Sequence, residues 1–94
     1  MARIRSFEST ARFQREYKKL SPGLKRELKA ALEDLLADPI PRSRRFEKLE
    51  GYRNPNIYTI HVTTNHSHKL SFALIEDRAI LRRIATHSEI DRNP

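Results

Sequence analysis

The chain has 94 residues, of which 33 % are charged and 37 % hydrophobic, and its formal net charge is +7. This length predicts one domain, 1–94, with a single core. The absence of cysteine excludes disulfides, zinc–thiolate sites and thiol catalysis. No apolar run reaches the roughly 18 residues of a membrane span, and the N-terminus lacks the apolar segment of a signal peptide. We therefore expect a cytoplasmic protein without a membrane partner.

The positive charge is concentrated in two segments. Residues 1–20 carry six basic and two acidic residues, and residues 41–55 carry five basic and two acidic residues. Clustered basicity is typical of chains that bind a polyanion, either nucleic acid or an acidic protein. Charge alone does not separate these partners from each other or from a simple solubilising role.

The N-terminal half predicts one strand and two helices. Ala2–Phe7 alternates modestly and is predicted to form a strand. A helix follows, capped by Ser9 or Thr10, because apolar residues then recur at helical spacing. A second helix is predicted to begin at Ser21-Pro22 and to end at Asp38-Pro39. The short link between the two helices makes them antiparallel neighbours.

The C-terminal half changes to a period of two and predicts three strands, near 57–62, 69–74 and 79–85. The order β-α-α-β-β-β predicts an α+β fold, in which an α-helical hairpin packs on one face of an antiparallel twisted sheet. The second face would carry Thr59, His61, Lys69 and Ser71, and we expect it to be open to water.

The histidines are the strongest functional signal. His61, His66 and His68 lie within eight residues, and His87 lies at the end of the last predicted strand. Histidine exchanges a proton near neutral pH, so several histidines in a very basic chain favour chemistry on a phosphodiester. The pair His66 and His68 also suggests a metal site, but no cysteine or carboxylate lies within the cluster. We expect no metal and no cofactor.

Several short motifs follow one another along the chain: Lys19-Leu20, Asp38-Pro39, Lys48-Leu49-Glu50-Gly51, the 58–62 strand and Thr86-His87. Their order and spacing resemble those of the RelE/ParE superfamily of toxins from bacterial type II toxin–antitoxin systems. The ending from Thr86 to Asp91 is most similar to the YafQ/HigB-like branch of mRNA interferases. The resemblance implies a metal-independent, ribosome-dependent mRNA endonuclease, in which the RNA 2′-hydroxyl attacks the adjacent phosphate.

Such a reaction needs a base for the 2′-hydroxyl, cations for the phosphorane charge and an acid for the leaving oxygen. The resemblance gives His87, His61, Lys69 and His68 as catalytic candidates, without deciding which is acid and which is base. The predicted RNA-binding residues are basic or imidazole side chains: Arg44, Arg45, Lys48, Arg53, His66, Arg82 and Arg83. One of the last two arginines is expected to lie against the sheet. Where the branch tends to have an aromatic residue after its last histidine, this chain has Ile90 and Asp91.

Two other functions stay open at this point. A ParE-like toxin would poison DNA gyrase without being a nuclease and would have no use for the histidines. A degenerate toxin-like protein would be a binding module without catalysis. The toxin interpretations imply a cognate antitoxin with an acidic segment as partner, and the nuclease also implies mRNA on the ribosome.

Overall fold

The computed structural model describes residues 3–53 and 55–94. In chain order its elements are β1 Ser6–Ser9, α1 Ala11–Lys18, α2 Pro22–Leu36, a 3-10 turn Arg42–Arg44, β2 Glu47–Lys48, β3 Ile57–His61, β4 His68–Ile75, β5 Arg78–Thr86 and α3 His87–Arg92. The strands form one sheet in the order β1-β5-β4-β3-β2. The predicted α+β fold, with two successive helices after the first strand, is confirmed. In the described part of the chain no helix is long and apolar enough to cross a membrane.

Both helices of the hairpin begin at the residues that the capping pattern predicts. The hydroxyls of Thr10 and Ser21 each accept a hydrogen bond from the backbone N–H three residues later. Pro22 occupies the first helical turn, where its missing N–H has no intrahelical partner to lose. Ala37 is already extended, so α2 ends just before Asp38-Pro39, a pair that disfavours helical backbone.

The hydrophobic core lies between the hairpin and one face of the sheet. Leu28, Ala31 and Leu35 of α2 are almost fully buried there. They belong to one cluster with apolar residues of the strands, which are Ile60, Leu70, Phe72, Ala79, Leu81 and Ile84, and with Val62, which follows β3. Removing this apolar surface from water is the main source of stability for the fold.

The first strand differs from its prediction in position and direction. It spans Ser6–Ser9 rather than Ala2–Phe7, and residue 2 lies outside the described residues. β1 pairs in parallel with β5, with Ser6 opposite Arg78, so the sheet is mixed rather than wholly antiparallel. A short strand, β2, also forms inside the predicted loop and pairs with β3. Both differences come from pairing with distant strands, which local alternation does not encode.

The chain ends in a helix, so His87 is the first residue of α3 rather than the last residue of a strand. Thr86 caps this helix: its hydroxyl accepts from the Glu89 backbone N–H, and the Glu89 carboxylate accepts from the Thr86 N–H. A threonine followed three residues later by glutamate is the sequence signature of this capping box. The sequence thus contained the start signal of this helix, but six residues are too few to show the helical spacing of apolar residues that predicts a helix.

The second face of the sheet is covered, and the prediction that it is open to water is wrong. The exposed fractions of Thr59, His61, Lys69 and Ser71 are 1 %, 9 %, 6 % and 0 %. α3 packs against β4 and β5 on this side, and its Ile90 is fully buried. The polar residues of this face therefore lie inside the protein, where each polar group needs a partner.

Candidate functional site: a cluster of histidine, lysine and aspartate

Three chain segments bring the predicted catalytic residues to one end of the sheet. β3 ends at His61, which pairs with Lys69 near the start of the antiparallel strand β4. β5 ends at Thr86, which pairs with His68 and leads directly into His87. Because neighbouring antiparallel strands end and begin at the same edge, residues far apart in sequence meet here.

The rings of three histidines lie close together. The ring centroid of His61 is 4.4 Å from that of His66 and 5.5 Å from that of His87. His66 has a left-handed backbone, with φ of 59°, in the turn between β3 and β4, and its N–H donates to the carbonyl of Thr63. This turn places the His66 ring against His61. Within residues 3–53 and 55–94, no group of three or more His, Cys, Asp or Glu side chains is arranged to hold a metal ion.

Asp91 joins Lys69 and His87 through its two carboxylate oxygens. Lys69 Nζ lies 2.8 Å from Oδ1, and His87 Nδ1 lies 3.0 Å from Oδ2. His87 and Asp91 are four residues apart in α3, so their side chains lie on the same helix face. The Lys69 side chain is 7 % exposed, whereas those of His87 and Asp91 are 45 % and 47 % exposed. A nearly buried ammonium therefore meets a half-exposed aspartate–histidine pair.

The surroundings lower the pKa of both His61 and Asp91. Burial lowers the pKa of His61 below 6.5, because desolvation disfavours the charged ring. Neighbouring groups that carry or acquire positive charge lower the pKa of His61 further, namely His66, Lys69, His87 and Arg45. The hydrogen bond from Lys69 lowers the pKa of Asp91. At pH 7 His61 is thus a neutral proton acceptor and Asp91 is an ionised carboxylate.

His68 is directed into the β3–β4 turn. Its Nδ1 lies 2.8 Å from Ser67 Oγ, and the Ser67 hydroxyl lies 3.1 Å from that of Thr63. The Ser67 backbone N–H also donates to Thr63 Oγ1 at 2.8 Å. The ring of His68 therefore takes part in the hydrogen-bond network that shapes this turn, although it was predicted together with the catalytic residues.

Two of the predicted RNA-binding arginines are held by partners within the protein. Arg44 Nε lies 2.7 Å from the Asp34 carboxylate, and Arg83 Nη2 lies 2.6 Å from the Glu16 carboxylate. Arg83 is 7 % exposed and is thus the arginine that lies against the sheet. Arg82 lies at the irregularity in the β4–β5 pairing and is half-buried.

The remaining basic candidates are exposed and lie toward different ends of β3. Glu47 pairs with Thr59, so the preceding Arg45 lies toward the His61 end of that strand. Lys48 and Arg53 lie toward the opposite end. They line a polar cavity of about 580 Å³ together with Leu49, Glu50, Gly51, Tyr52 and Asn56. Of these three basic residues, Arg45 alone therefore lies at the same end of β3 as the histidine cluster.

Solved structures of toxins share this architecture. A chain of the RelB–RelE antitoxin–toxin complex from Methanococcus jannaschii matches with a TM-score of 0.68 at 20 % identity, covering 93 % of this chain and 99 % of that chain. The isolated E. coli RelE toxin matches with a TM-score of 0.66 at 19 % identity, covering 97 % of both chains. This chain has the RelE fold. A chain of the E. coli DinJ–YafQ toxin–antitoxin complex matches equally well, with a TM-score of 0.66 at 19 % identity, covering 92 % of this chain and 96 % of that chain.

The likeness to RelE is one of structure rather than of sequence. No protein-family model matches the chain, and no curated protein is significantly similar to it. At such low identity the RelE fold locates the elements but does not assign roles to individual residues. The roles have to be argued from the geometry of this chain's own side chains.

Sequence reasoning left Asp91 out of the site and treated it only as a replacement for an aromatic residue. Its relation to His87 depends on the i, i+4 spacing of a helix, and the helix itself was not predicted. Its ion pair with Lys69 joins β4 to α3, and the whole of β5 lies between these two elements in the sequence. Within the RelE fold of this chain, Asp91 ties the C-terminal helix to Lys69 of β4, beside the histidine cluster.

Proposed function

We propose that this chain is the toxin of a type II toxin–antitoxin system and that it cleaves mRNA on the ribosome without a metal ion. The observation that carries the proposal is the convergence of three histidines with Lys69 and Asp91 at one end of the sheet. The likeness in fold to the RelE and YafQ toxins supports the toxin role. Cleavage by this route needs only proton transfer and charge stabilisation, and histidine and lysine supply both.

His61 is the residue best suited to act as the base. Its burial keeps the ring neutral at pH 7, so it accepts the proton of the RNA 2′-hydroxyl. The 2′-oxygen then forms a bond to phosphorus, while the bond between phosphorus and the 5′-oxygen of the next nucleotide breaks. The products are a 2′,3′-cyclic phosphate and a 5′-hydroxyl.

His87 is suited to act as the acid, because it is half-exposed and its Nδ1 lies 3.0 Å from the Asp91 carboxylate. In this role its imidazolium gives a proton to the leaving 5′-oxygen. Lys69 pairs with His61 across β3 and β4, and its positive charge stabilises the phosphorane. Exposed Arg45 supplies a further cation at the same end of the sheet.

The basic surface suits both the RNA and an acidic antitoxin. Arg45, Lys48 and Arg53 are exposed and are proposed to hold the RNA backbone. On the opposite layer, an apolar groove of about 430 Å³ is lined by residues of α1 and α2 and flanked by lysine and arginine: Phe13, Tyr17, Lys25, Arg26, Leu28, Lys29 and Leu32. Apolar walls with basic edges complement an amphipathic acidic segment of an antitoxin.

The proposal is tested by induced expression of the wild type, His87→Ala and the neighbouring exposed variant Ser88→Ala. We expect the wild type and Ser88→Ala to arrest growth and to cut a reporter mRNA in frame, as read by primer extension. His87→Ala should do neither while it still folds. Growth arrest without mRNA cleavage in all three would contradict the nuclease and direct attention to DNA gyrase. No arrest by the wild type would favour a non-catalytic binding module.

A further inference from the structure

Tyr52 differs from the other two tyrosines of the chain in the packing of its ring. Tyr17 stacks on Phe13, with ring centroids 6.2 Å apart, and Lys25 Nζ lies 5.1 Å from the Tyr17 centroid. Tyr58 stacks on two phenylalanine rings, at 5.3 and 5.9 Å. Within the described part of the chain, the Tyr52 ring has no aromatic or cationic partner of this kind, and the residue is 41 % exposed. Its ring is therefore available to stack on a ligand.

Tyr52 lies among charged and polar side chains. It lines the polar cavity of about 580 Å³ together with the exposed cations Lys48 and Arg53, the exposed carboxylate Glu50 and the amide of Asn56. We call this the Tyr52 cavity. An aromatic side chain between cations is typical of sites that bind unpaired nucleotides, because the base stacks on the ring and the cations attract the phosphates.

The loop that carries Tyr52 is fixed at its base. The Leu49 N–H donates to the Ile57 carbonyl at 2.8 Å and closes the loop just beyond the last β2–β3 pair. Gly51 has a left-handed backbone, with φ of 85°, and a Cβ at this position would meet no atom within 4 Å. Glycine is therefore favoured here by the turn rather than by crowding. This turn directly precedes Tyr52 in the loop.

We propose that the Tyr52 cavity binds one unpaired nucleotide of the mRNA, with its base stacked on Tyr52 and its phosphates next to Lys48 and Arg53. The inference rests on the proposed function, which makes RNA the substrate, and adds a subsite apart from the histidine cluster. Stacking of this kind tolerates every base, because each base has a π-face. Glu50 repels phosphate, so the RNA backbone is expected on the side of the two cations.

The distance along β3 allows one RNA strand to reach both places. Lys48 pairs with Tyr58 near one end of β3, and His61 lies at the other end. Four residues from Ile57 to His61 span about 13 Å at the rise of a strand. Bases stacked at about 3.4 Å cover this distance with roughly four nucleotides. The nucleotide in the Tyr52 cavity is therefore outside the pair that reacts.

An acidic protein segment is the competing occupant, because the same cations would attract it. The amphipathic segment of an antitoxin needs apolar walls, and the groove of α1 and α2 offers them. The Tyr52 cavity instead combines an unstacked ring with polar side chains. These features favour a nucleotide over an acidic peptide.

The first test uses a fluorescent reporter in the cavity. The chain has no tryptophan, so Tyr52→Trp introduces a single indole. The ligand is an eight-nucleotide 2′-O-methyl RNA, which has no free 2′-hydroxyl and is not cut by the proposed route. Base stacking should quench the indole fluorescence, whereas linear polyphosphate and polyglutamate should not.

Tyr17→Trp is the matched control, because Tyr17 is 39 % exposed and lies on the opposite layer. This variant should show no quenching by the RNA. Three results would overturn the proposal: no quenching of Tyr52→Trp, equal quenching of both variants, or quenching of Tyr52→Trp by polyphosphate or polyglutamate.

Binding of the same RNA, measured by fluorescence anisotropy of an end label, separates stacking from charge. Tyr52→Phe keeps the ring and should bind like the wild type. Tyr52→Ala should bind roughly 5-fold more weakly or worse, the lower range for one lost base–aromatic stack. Lys48→Gln should instead reduce the slope of log affinity against log salt by about 1. Equal affinity of the wild type and Tyr52→Ala, or an equal loss in both Tyr52 variants, would overturn the proposal.

Single-turnover cleavage on programmed ribosomes connects the cavity to the proposed function. Tyr52→Ala should raise the protein concentration that gives half the maximal rate by roughly 5-fold or more, with a smaller effect on the maximal rate. Its affinity for ribosomes without mRNA should equal that of the wild type. A loss of that affinity would assign the nucleotide to ribosomal RNA and overturn the assignment to mRNA.

The two proposals can fail separately. A wild type that binds the RNA as expected but never cleaves mRNA overturns the proposed function and leaves the Tyr52 cavity as an RNA-binding site. A wild type that cleaves mRNA while Tyr52→Trp is not quenched overturns the subsite alone.

Discussion

Lys69 and Asp91 are 22 residues apart in sequence and form an ion pair of 2.8 Å that ties the C-terminal helix to β4, the central strand of the sheet. The pair explains how a lysine that is 6 % exposed is tolerated on a sheet face. The same carboxylate also contacts His87, so Asp91 connects Lys69 to a member of the histidine cluster. Asp91 is therefore expected to contribute to the stability of the fold and also lies next to His87, the proposed acid.

Asp91→Asn should lower the free energy of unfolding by about 1–2 kcal/mol. Removing one partner of a fully buried ion pair costs about 3–5 kcal/mol, but water screens this pair because Asp91 is half-exposed. Chemical denaturation at pH 7 measures the difference. The double variant Lys69→Met with Asp91→Asn should recover part of the loss, because no uncompensated ammonium is left, and equal stability of wild type and Asp91→Asn would contradict the account.

The stabilising effect of Asp91 should vanish in acid. Its pKa is lowered in the folded protein, so the stability it contributes is present above the unfolded pKa of about 3.9 and is lost as the pH falls through the lower folded value. The free energies of unfolding of the wild type and Asp91→Asn should therefore converge below about pH 4. A constant difference down to pH 2 would mean that the carboxylate charge is not the cause.

His61 predicts a second pH dependence, at higher pH. Because burial lowers its pKa, the unfolded chain binds more protons than the folded chain once the pH falls below about 6.5. Stability should be full above this pH and should decrease as the pH falls toward the folded pKa of His61. Denaturation curves of His61→Gln should show a smaller decrease over this range, and an identical slope in both proteins would show that His61 does not carry it.

Arg44 and Arg45 are neighbours that should behave differently. Arg44→Ala should lower stability by about 1 kcal/mol, because it breaks the 2.7 Å ion pair with Asp34. Arg45→Ala should leave stability unchanged and weaken RNA binding, with the slope of log affinity against log salt reduced by about 1. Binding to a labelled RNA at several salt concentrations measures this slope. The reverse assignment of the two effects would contradict the placement of these side chains.

Replacement of His68 and replacement of His87 should affect the cleavage rate to different extents. His87→Ala should reduce the cleavage rate by roughly 100-fold or more, as expected for loss of an acid or base. His68→Ala should reduce it less than roughly 10-fold, because its ring bonds to Ser67 in the β3–β4 turn. The comparison uses single-turnover cleavage with folding checked by circular dichroism. A larger loss in His68→Ala would move the reacting centre toward the turn.

Local signals in the sequence predicted the parts of the fold that depend on local chemistry. Thr10 and Ser21-Pro22 begin the two helices because capping is decided within one helical turn. The position of β1 and the existence of β2 depend on strand pairing across the chain, and the sequence pattern does not contain it. The prediction of three strands in the C-terminal half succeeded because a period of two is itself a local pattern.

The sequence pointed to residues that lie close together in the structure, but not to the contacts between them, and their catalytic roles stay a prediction. His61, Lys69 and His87 were selected, and the strand ends bring them together. Asp91 was missed because six residues with one buried apolar side chain give no helical period. The ion pairs of Arg44 with Asp34 and of Arg83 with Glu16 were not predicted either, because each joins side chains of different elements whose arrangement is set only by folding.

The proposed function requires that this chain cut RNA by using the RNA's own 2′-hydroxyl. The most direct measurement is cleavage of ribosome-bound mRNA by the purified protein, with analysis of the new ends and with a matched mRNA that has a single 2′-deoxy nucleotide at the cut position. We expect a 2′,3′-cyclic phosphate and a 5′-hydroxyl on the normal mRNA, and no cut at the deoxy position. Cleavage of the deoxy substrate, or a 5′-phosphate product, would contradict it.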